Sequence, residues 1–241
     1  MSLFKARGVV RLCVRGKTPC RRWSSSFVRN PSGSAPREVP TPLLFVSAKE
    51  WDIDSYKGID TLATILSMKR FTCVHCDLSL PRVDPLDSDK LMHHFISDLK
   101  AELRLSWPGA PFPPVLFARS AASIIAQTYI SSNPVSAMML WGNNIPATNA
   151  ELAGGLLPTP LAEFNFEPKF PIALLTTLRE MDRLRETNRL AQADVCLSID
   201  ACSIIANSIF VATQVELLTT ADLESQDALV KIECWLDDLG I

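Results

Sequence analysis

The residues of this chain best suited to chemistry are Ser120 and its small neighbours. From Pro114 to Gln127 an apolar run passes into Ala118-Arg119-Ser120-Ala121-Ala122 and then into Ser123-Ile124-Ile125-Ala126. This predicts a buried strand, a sharp turn about one serine, and a helix. It is the layout of a nucleophile elbow, in which a strained turn lifts a serine hydroxyl to the top of a sheet. A serine hydroxyl is a weak nucleophile unless a base takes its proton as it attacks. The chain has 3 histidines, His75, His93 and His94, and none follows residue 94. His75 falls in a strand-like run, and His93 and His94 fall on an amphipathic helix as surface or boundary residues. Neither placement brings an imidazole to Ser120. The plain structural reading of Ser120 is a small residue tolerated in a tight turn.

The other reactive residue types give weaker signals. Seven cysteines in a chain without a secretory signal argue against a disulfide framework. Cys73-Val74-His75-Cys76 has C-x-x-C spacing, but it lies in a strand-like run where Cys73 and Cys76 would face opposite sides. With no second ligand pair elsewhere, buried small hydrophobes are the better reading. Nothing in the chain calls for a metal or another cofactor.

The formal net charge of −2 conceals an asymmetry. Of 24 basic and 26 acidic residues, nine basic and no acidic ones lie in residues 1–37, so the remainder carries 15 basic against 26 acidic residues. An acidic body argues against a nucleic-acid partner, which wants a basic face. The first residues are rich in Arg and Ser and free of acid, the composition of a mitochondrial transit peptide. Val9, Val10, Leu12 and Val14 can form one apolar side of a short basic helix. The run Arg21-Arg22-Trp23-Ser24-Ser25-Ser26-Phe27 reads as a processing site, and Asn30 to Pro36 as a flexible linker. Residues 1–37 are thus expected to be transit peptide and linker, and 38–241 the folded domain, placed in the mitochondrial matrix. No transmembrane segment is expected.

The elements that must position Ser120 follow from apolar patterning. Strands are expected at Leu43–Ala48, Phe71–Cys76, Val115–Ala118, Val135–Trp141, Pro171–Thr176 and Val215–Leu218. Helices are expected at about 55–68, 89–105, Ala121–Ser131, Arg183–Ala193 and Asp227–Leu239. The strands are continuously apolar and alternate with helices. That predicts an α/β domain, a mostly parallel central sheet with helices on both faces. Active sites of such folds lie at the carboxyl ends of strands. Residues 142–169, rich in Asn, Gly and Pro, are expected to cover the cleft.

Over about residues 41–241 the chain resembles the α/β-hydrolase fold. Ala118-Arg119-Ser120-Ala121-Ala122 stands where that superfamily has G-x-S-x-G, with alanine at both glycine positions. The terminal Ala228–Asp237 resembles its last packing helix. The resemblance implies Ser120 as nucleophile, an acid after a later strand, and a histidine after the last strand. Asp182 is the best-placed acid and Glu180 the second; the plain reading of Asp182 is a solvated charge at a helix start. The resemblance also implies oxyanion donors at the backbone of Ala121 and Ala48. The loop Thr219–Ser225 after the last strand holds no histidine, and Ser47-Ala48 stands where the superfamily often carries His-Gly.

Residues 195–214 fit the pattern poorly, being apolar without a clean period. Codons for Val195-Cys196, Ala206-Asn207 and Thr213-Gln214 can spell an intron's start, branch site and end, so the segment also reads as an unspliced in-frame intron. The bland reading is a genuine buried helix or extra strand. Uniform transcript reads across it, with no spliced junction, would sink the intron reading.

Three functions remain open on sequence alone. The leading expectation is a degenerate, mitochondrially targeted protein with an incomplete catalytic triad, a pseudoenzyme that binds a small acyl or ester ligand or a protein partner. The second is an active serine hydrolase cleaving ester or acyl bonds through Ser120 and Asp182. The third is a structural accessory subunit of a mitochondrial complex.

Overall fold

Apolar runs that alternate with amphipathic helices can be covered on both faces only if the strands lie side by side in one sheet. The computed structural model, which describes residues 24–33, 39–82, 87–106, 112–167, 169–193 and 215–241, has this arrangement. Its strands are β1 (Ser25–Arg29), β2 (Val39–Ser47), β3 (Phe71–Asp77), β4 (Val115–Arg119), β5 (Ala137–Trp141), β6 (Ile172–Thr176) and β7 (Val215–Thr219). They form one sheet in the order β1-β3-β2-β4-β5-β6-β7. β1 pairs antiparallel with β3, and every other pairing is parallel. The helices are α1 (Ile59–Lys69), α2 (Ser88–Ser106), α3 (Ala122–Ile130), α4 (Leu178–Thr187) and α5 (Gln226–Asp238).

Two hydrophobic clusters lie on opposite faces of the sheet. One joins Leu44, Val46, Leu116, Met138, Leu140 and Leu174 to α2, α3 and α4 through residues such as Phe95, Ile125 and Met181. The other joins Phe45, Phe117, Met139, Trp141 and Leu175 to α1 and α5 through Ile59, Leu66, Ile232 and Trp235. Alternate residues of β2 to β7 divide between the clusters, as the pleat requires. Cys76 falls in the first and Cys73 in the second. Burial pushes the Cys73 thiol up to about 12 and raises that of Cys76 as well, so both are inert small hydrophobes. Among the described residues no group of three or more His, Cys, Asp or Glu could hold a metal ion. Nor is any helix among them long and apolar enough to cross a membrane.

The structure departs from the sequence reading in three places. β1 lies within residues 1–37, which composition assigns to leader and linker. The sheet therefore includes Ser25–Arg29, held at its edge by β3 and by Phe27, whose ring meets His75 edge-on at 4.8 Å. The first helix of the sequence reading divides into a short 3₁₀ turn at Ile53–Tyr56 and α1, separated by Gly58 with φ 71°. α4 starts five residues earlier than the charge pattern suggests, because Met181 and Leu184 set its buried side. It stops at Asn188, whose Oδ1 accepts hydrogen bonds from the backbone of Leu190 and Ala191 and begins a new turn. Segment 195–214 and residues 1–23 lie outside the described residues.

Candidate active site

Ser120 joins β4 to α3, and its φ of 53° is the only positive value at a non-glycine among the described residues. That backbone costs on the order of 1–3 kcal/mol and persists only where its surroundings impose it. They do so here. The Ser120 amide donates to Trp141 O at 3.0 Å, extending the β4–β5 ladder by one rung past the strand. Ala118, Ala121 and Ala122 are each buried to within 2%. At the end of β5, a Cβ on Gly142 (φ 140°) would lie 3.0 Å from Ser120 N. Only small residues let strand, turn and helix approach this closely. The strand, sharp turn and helix expected from the sequence are present.

What the elbow offers a substrate is another matter. Ser120 is 5% exposed, and its hydroxyl lies 3.4 Å from Asn144 O, at the long limit of a hydrogen bond. Asn144 Nδ2 donates to Asp54 Oδ2 at 3.2 Å, tying the loop after β5 to the loop after β2. In an elbow the oxyanion of an acyl transfer rests on the N–H after the nucleophile and on one from the loop after an earlier strand. Both of the donors expected here are taken. Ala121 N–H donates to Asp52 Oδ2 at 3.0 Å. Ala48 N–H donates to Ser55 Oγ at 3.1 Å, and Ser55 Oγ in turn donates to Asp52 O at 2.5 Å. Asp52 is locked as N-cap of the 3₁₀ turn, its Oδ1 accepting from Asp54 N at 3.0 Å. A developing oxyanion would meet a carboxylate instead of a free donor. Two like charges 4 Å apart repel by about 4 kcal/mol at an effective dielectric constant near 20.

Neither acid expected from the sequence is hydrogen-bonded or ion-paired to Ser120 among the described residues. Asp182 sits in the middle of α4 with its side chain 65% exposed, 3.9 Å from Arg185 Nη1. Glu180, the second acid, pairs with Arg183 Nη2 at 2.6 Å, and Arg183 Nη2 also donates to Ile145 O at 2.7 Å. In the loop after β7, Glu224 reaches towards the elbow. Its Oε1 lies 2.8 Å from Nη1 of Arg119, the residue before Ser120. Arg119, 8% exposed, donates from the same nitrogen to Lys57 O at 2.7 Å. An acid–cation brace thus joins the loops after β2 and β7 to the end of β4. Gly58 stands beside it at φ 71°, a backbone that disfavours any side chain, and a Cβ there would also lie 2.8 Å from Arg119 Nη1.

The three histidines lie elsewhere. His93 is exposed on α2, and His94 Nε2 lies 3.0 Å from Ser79 O. His75 is buried in β3, with Nε2 2.8 Å from Ser47 Oγ. Ser47 Oγ also lies 2.8 Å from Asp77 Oδ1 and donates to it. This Ser–His–Asp contact has the wrong order for catalysis. The one hydroxyl proton goes to Asp77, so His75 must donate through Nε2–H and has no lone pair turned to the serine. Desolvation lowers the imidazole to about 4, against the partial opposition of Asp77. A buried neutral imidazole is the result.

Sequence reasoning found Ser120, Ala121 and Ala48 but missed Asp52, Ser55 and Glu224. A signal was present for the first two. Trp51-Asp52-Ile53-Asp54-Ser55 places an N-cap acid at the start of a turn, directly after a strand's carboxyl end.

No protein-family model matches this sequence, and no curated protein matches it. Solved structures do resemble its fold. A thermophilic esterase from Thermogutta terrifontis superposes with a TM-score of 0.52 at 11% identity, over 90% of this chain and 94% of that one. A serine hydrolase without a lid from Xanthomonas campestris gives 0.48 at 11% identity, over 90% and 94%. The alpha/beta hydrolase domain-containing protein 10 from mouse gives 0.43 at 12% identity, over 92% and 96%. Strand order, elbow and the esterase superposition together define the class: this chain has the α/β-hydrolase fold.

Proposed function

We propose that this protein is a pseudoenzyme of the α/β-hydrolase fold that acts in the mitochondrial matrix. It binds a small acyl or ester compound, or a protein partner, without hydrolysing it. The observation that carries this reading is the occupation of both oxyanion donors, Ala121 by the Asp52 carboxylate and Ala48 by Ser55. Loss of the histidine alone costs a triad such as that of subtilisin roughly six orders of magnitude in turnover. A carboxylate on the oxyanion donor adds to that loss. The purified protein should show no labelling by a fluorophosphonate probe. Labelling that vanishes in Ser120→Ala would install the second reading, an active serine esterase. The strain retained at Ser120 is what favours that alternative, since such backbone persists where function needs it.

The acid-free basic leader supports the mitochondrial location. Because β1 begins at Ser25, a mature chain that keeps the whole sheet must start at or before that residue. Fractionation and N-terminal sequencing should find it in mitochondria, cut near Arg22. Cytosolic protein with Met1 in place would refute the targeting.

A further inference from the structure

We propose that the pocket between α2 and α3 binds a small, neutral, apolar molecule carrying one hydrogen-bond acceptor. It opens by the amino ends of β2 and β4, at the edge of the sheet opposite Ser120. Its volume is about 320 Å³, within the range of small-molecule sites. Leu44 and Val74, each 1% exposed, form its floor on the sheet, and Leu103 of α2 forms one wall. Prolines at 42, 114 and 134 contribute to the rim. Their fixed φ values leave little freedom to lose when a ligand enters.

Two features define the occupant. No described residue lining the pocket is charged, so an ion would lose its hydration there without compensation, and a neutral ligand complements the walls. Tyr129, 7% exposed as a whole, lines the pocket, and its hydroxyl makes no hydrogen bond to a described residue and is not among the fully enclosed polar atoms, so water reaches it there. A ligand that displaces that water has to replace its hydrogen bond. Desolvation raises its pKa, so the phenol stays protonated as a donor. A carbonyl or ether oxygen on an otherwise apolar molecule satisfies it.

The test is titration of the full chain with Prodan, a neutral naphthyl ketone whose emission moves to the blue when it leaves water. Saturable one-to-one binding with blue-shifted emission is expected. Tyr129→Phe keeps the ring and removes only the hydroxyl, and should weaken binding about three- to tenfold. Leu103→Trp, at a partly buried position of α2, should close the mouth and abolish binding, with circular dichroism melts showing that both variants fold. Equal affinity in all three proteins, or no saturable binding by the parent, overturns the site. Fluorophosphonate labelling of Ser120 is read separately, so this proposal and the pseudoenzyme reading fail independently.

Discussion

Asp52 and His75 show how single side chains decide what the carboxyl end of the sheet can do. Asp52 satisfies two backbone donors, Asp54 N with one oxygen and Ala121 N with the other. One residue therefore caps a turn and takes up the backbone amide that follows Ser120. His75 is the one deeply buried imidazole, and its cost is pH-dependent. Its folded value of about 4 lies below the ordinary 6.5, so the neutral form is the one the fold favours. Its contribution is complete above pH 6.5 and is lost as the pH falls towards 4, about 3 kcal/mol over that window. Urea unfolding at pH 7.5 and pH 4 should show this loss. His75→Gln, which keeps an amide donor for Ser47, should flatten the profile. An unchanged slope in that variant would assign the acid sensitivity to other groups.

Among the elements, β1 was hidden from sequence reading, and the cause lies in its position. An edge strand has one neighbour and a half-exposed pattern, so five residues in a basic, Ser-rich stretch carry almost no periodic signal. Its attachment depends on partners far along the chain. Ser24 Oγ donates to Asp98 Oδ2 at 3.0 Å, Ser26 Oγ donates to Glu102 Oε2 at 2.6 Å, and Arg29 pairs with Asp60. A chain beginning at Ser24 should melt with the full-length protein. One beginning at Asn30 should lose on the order of 2–4 kcal/mol, through the buried face of Phe27 and the lost ladder, and should aggregate through the bared edge of β3. Equal melting temperatures and equal solubility for the two chains would show that β1 contributes nothing. Strands β2 to β6 were legible because each carries a largely buried apolar run, and continuous burial writes itself as an unbroken apolar stretch. α4 was legible as a helix but not in its bounds. Charge marks a solvated face, whereas Met181 and Leu184 place the turns.

Across the entire domain, the loops at the carboxyl edge are cross-braced to one another. Arg119 joins Lys57 and Glu224, Arg183 joins Ile145 and Glu151, and Asn144 joins Asp54. Each tie links segments far apart in sequence across the face where this fold places its active sites. The apolar pocket lies at the other end of the sheet, next to Tyr129. The sheet, the helices that cover it, the serine at its bend and the lack of a histidine beyond residue 94 could all be read from residue order alone, because burial and turn sterics act on neighbours along the chain. That the Asp52 carboxylate lies on Ala121, and that Glu224 lies against Arg119, became visible only in the folded chain. Those contacts depend on how loops meet after the sheet has formed, and no local spacing encodes a meeting between residues 69 or 105 positions apart.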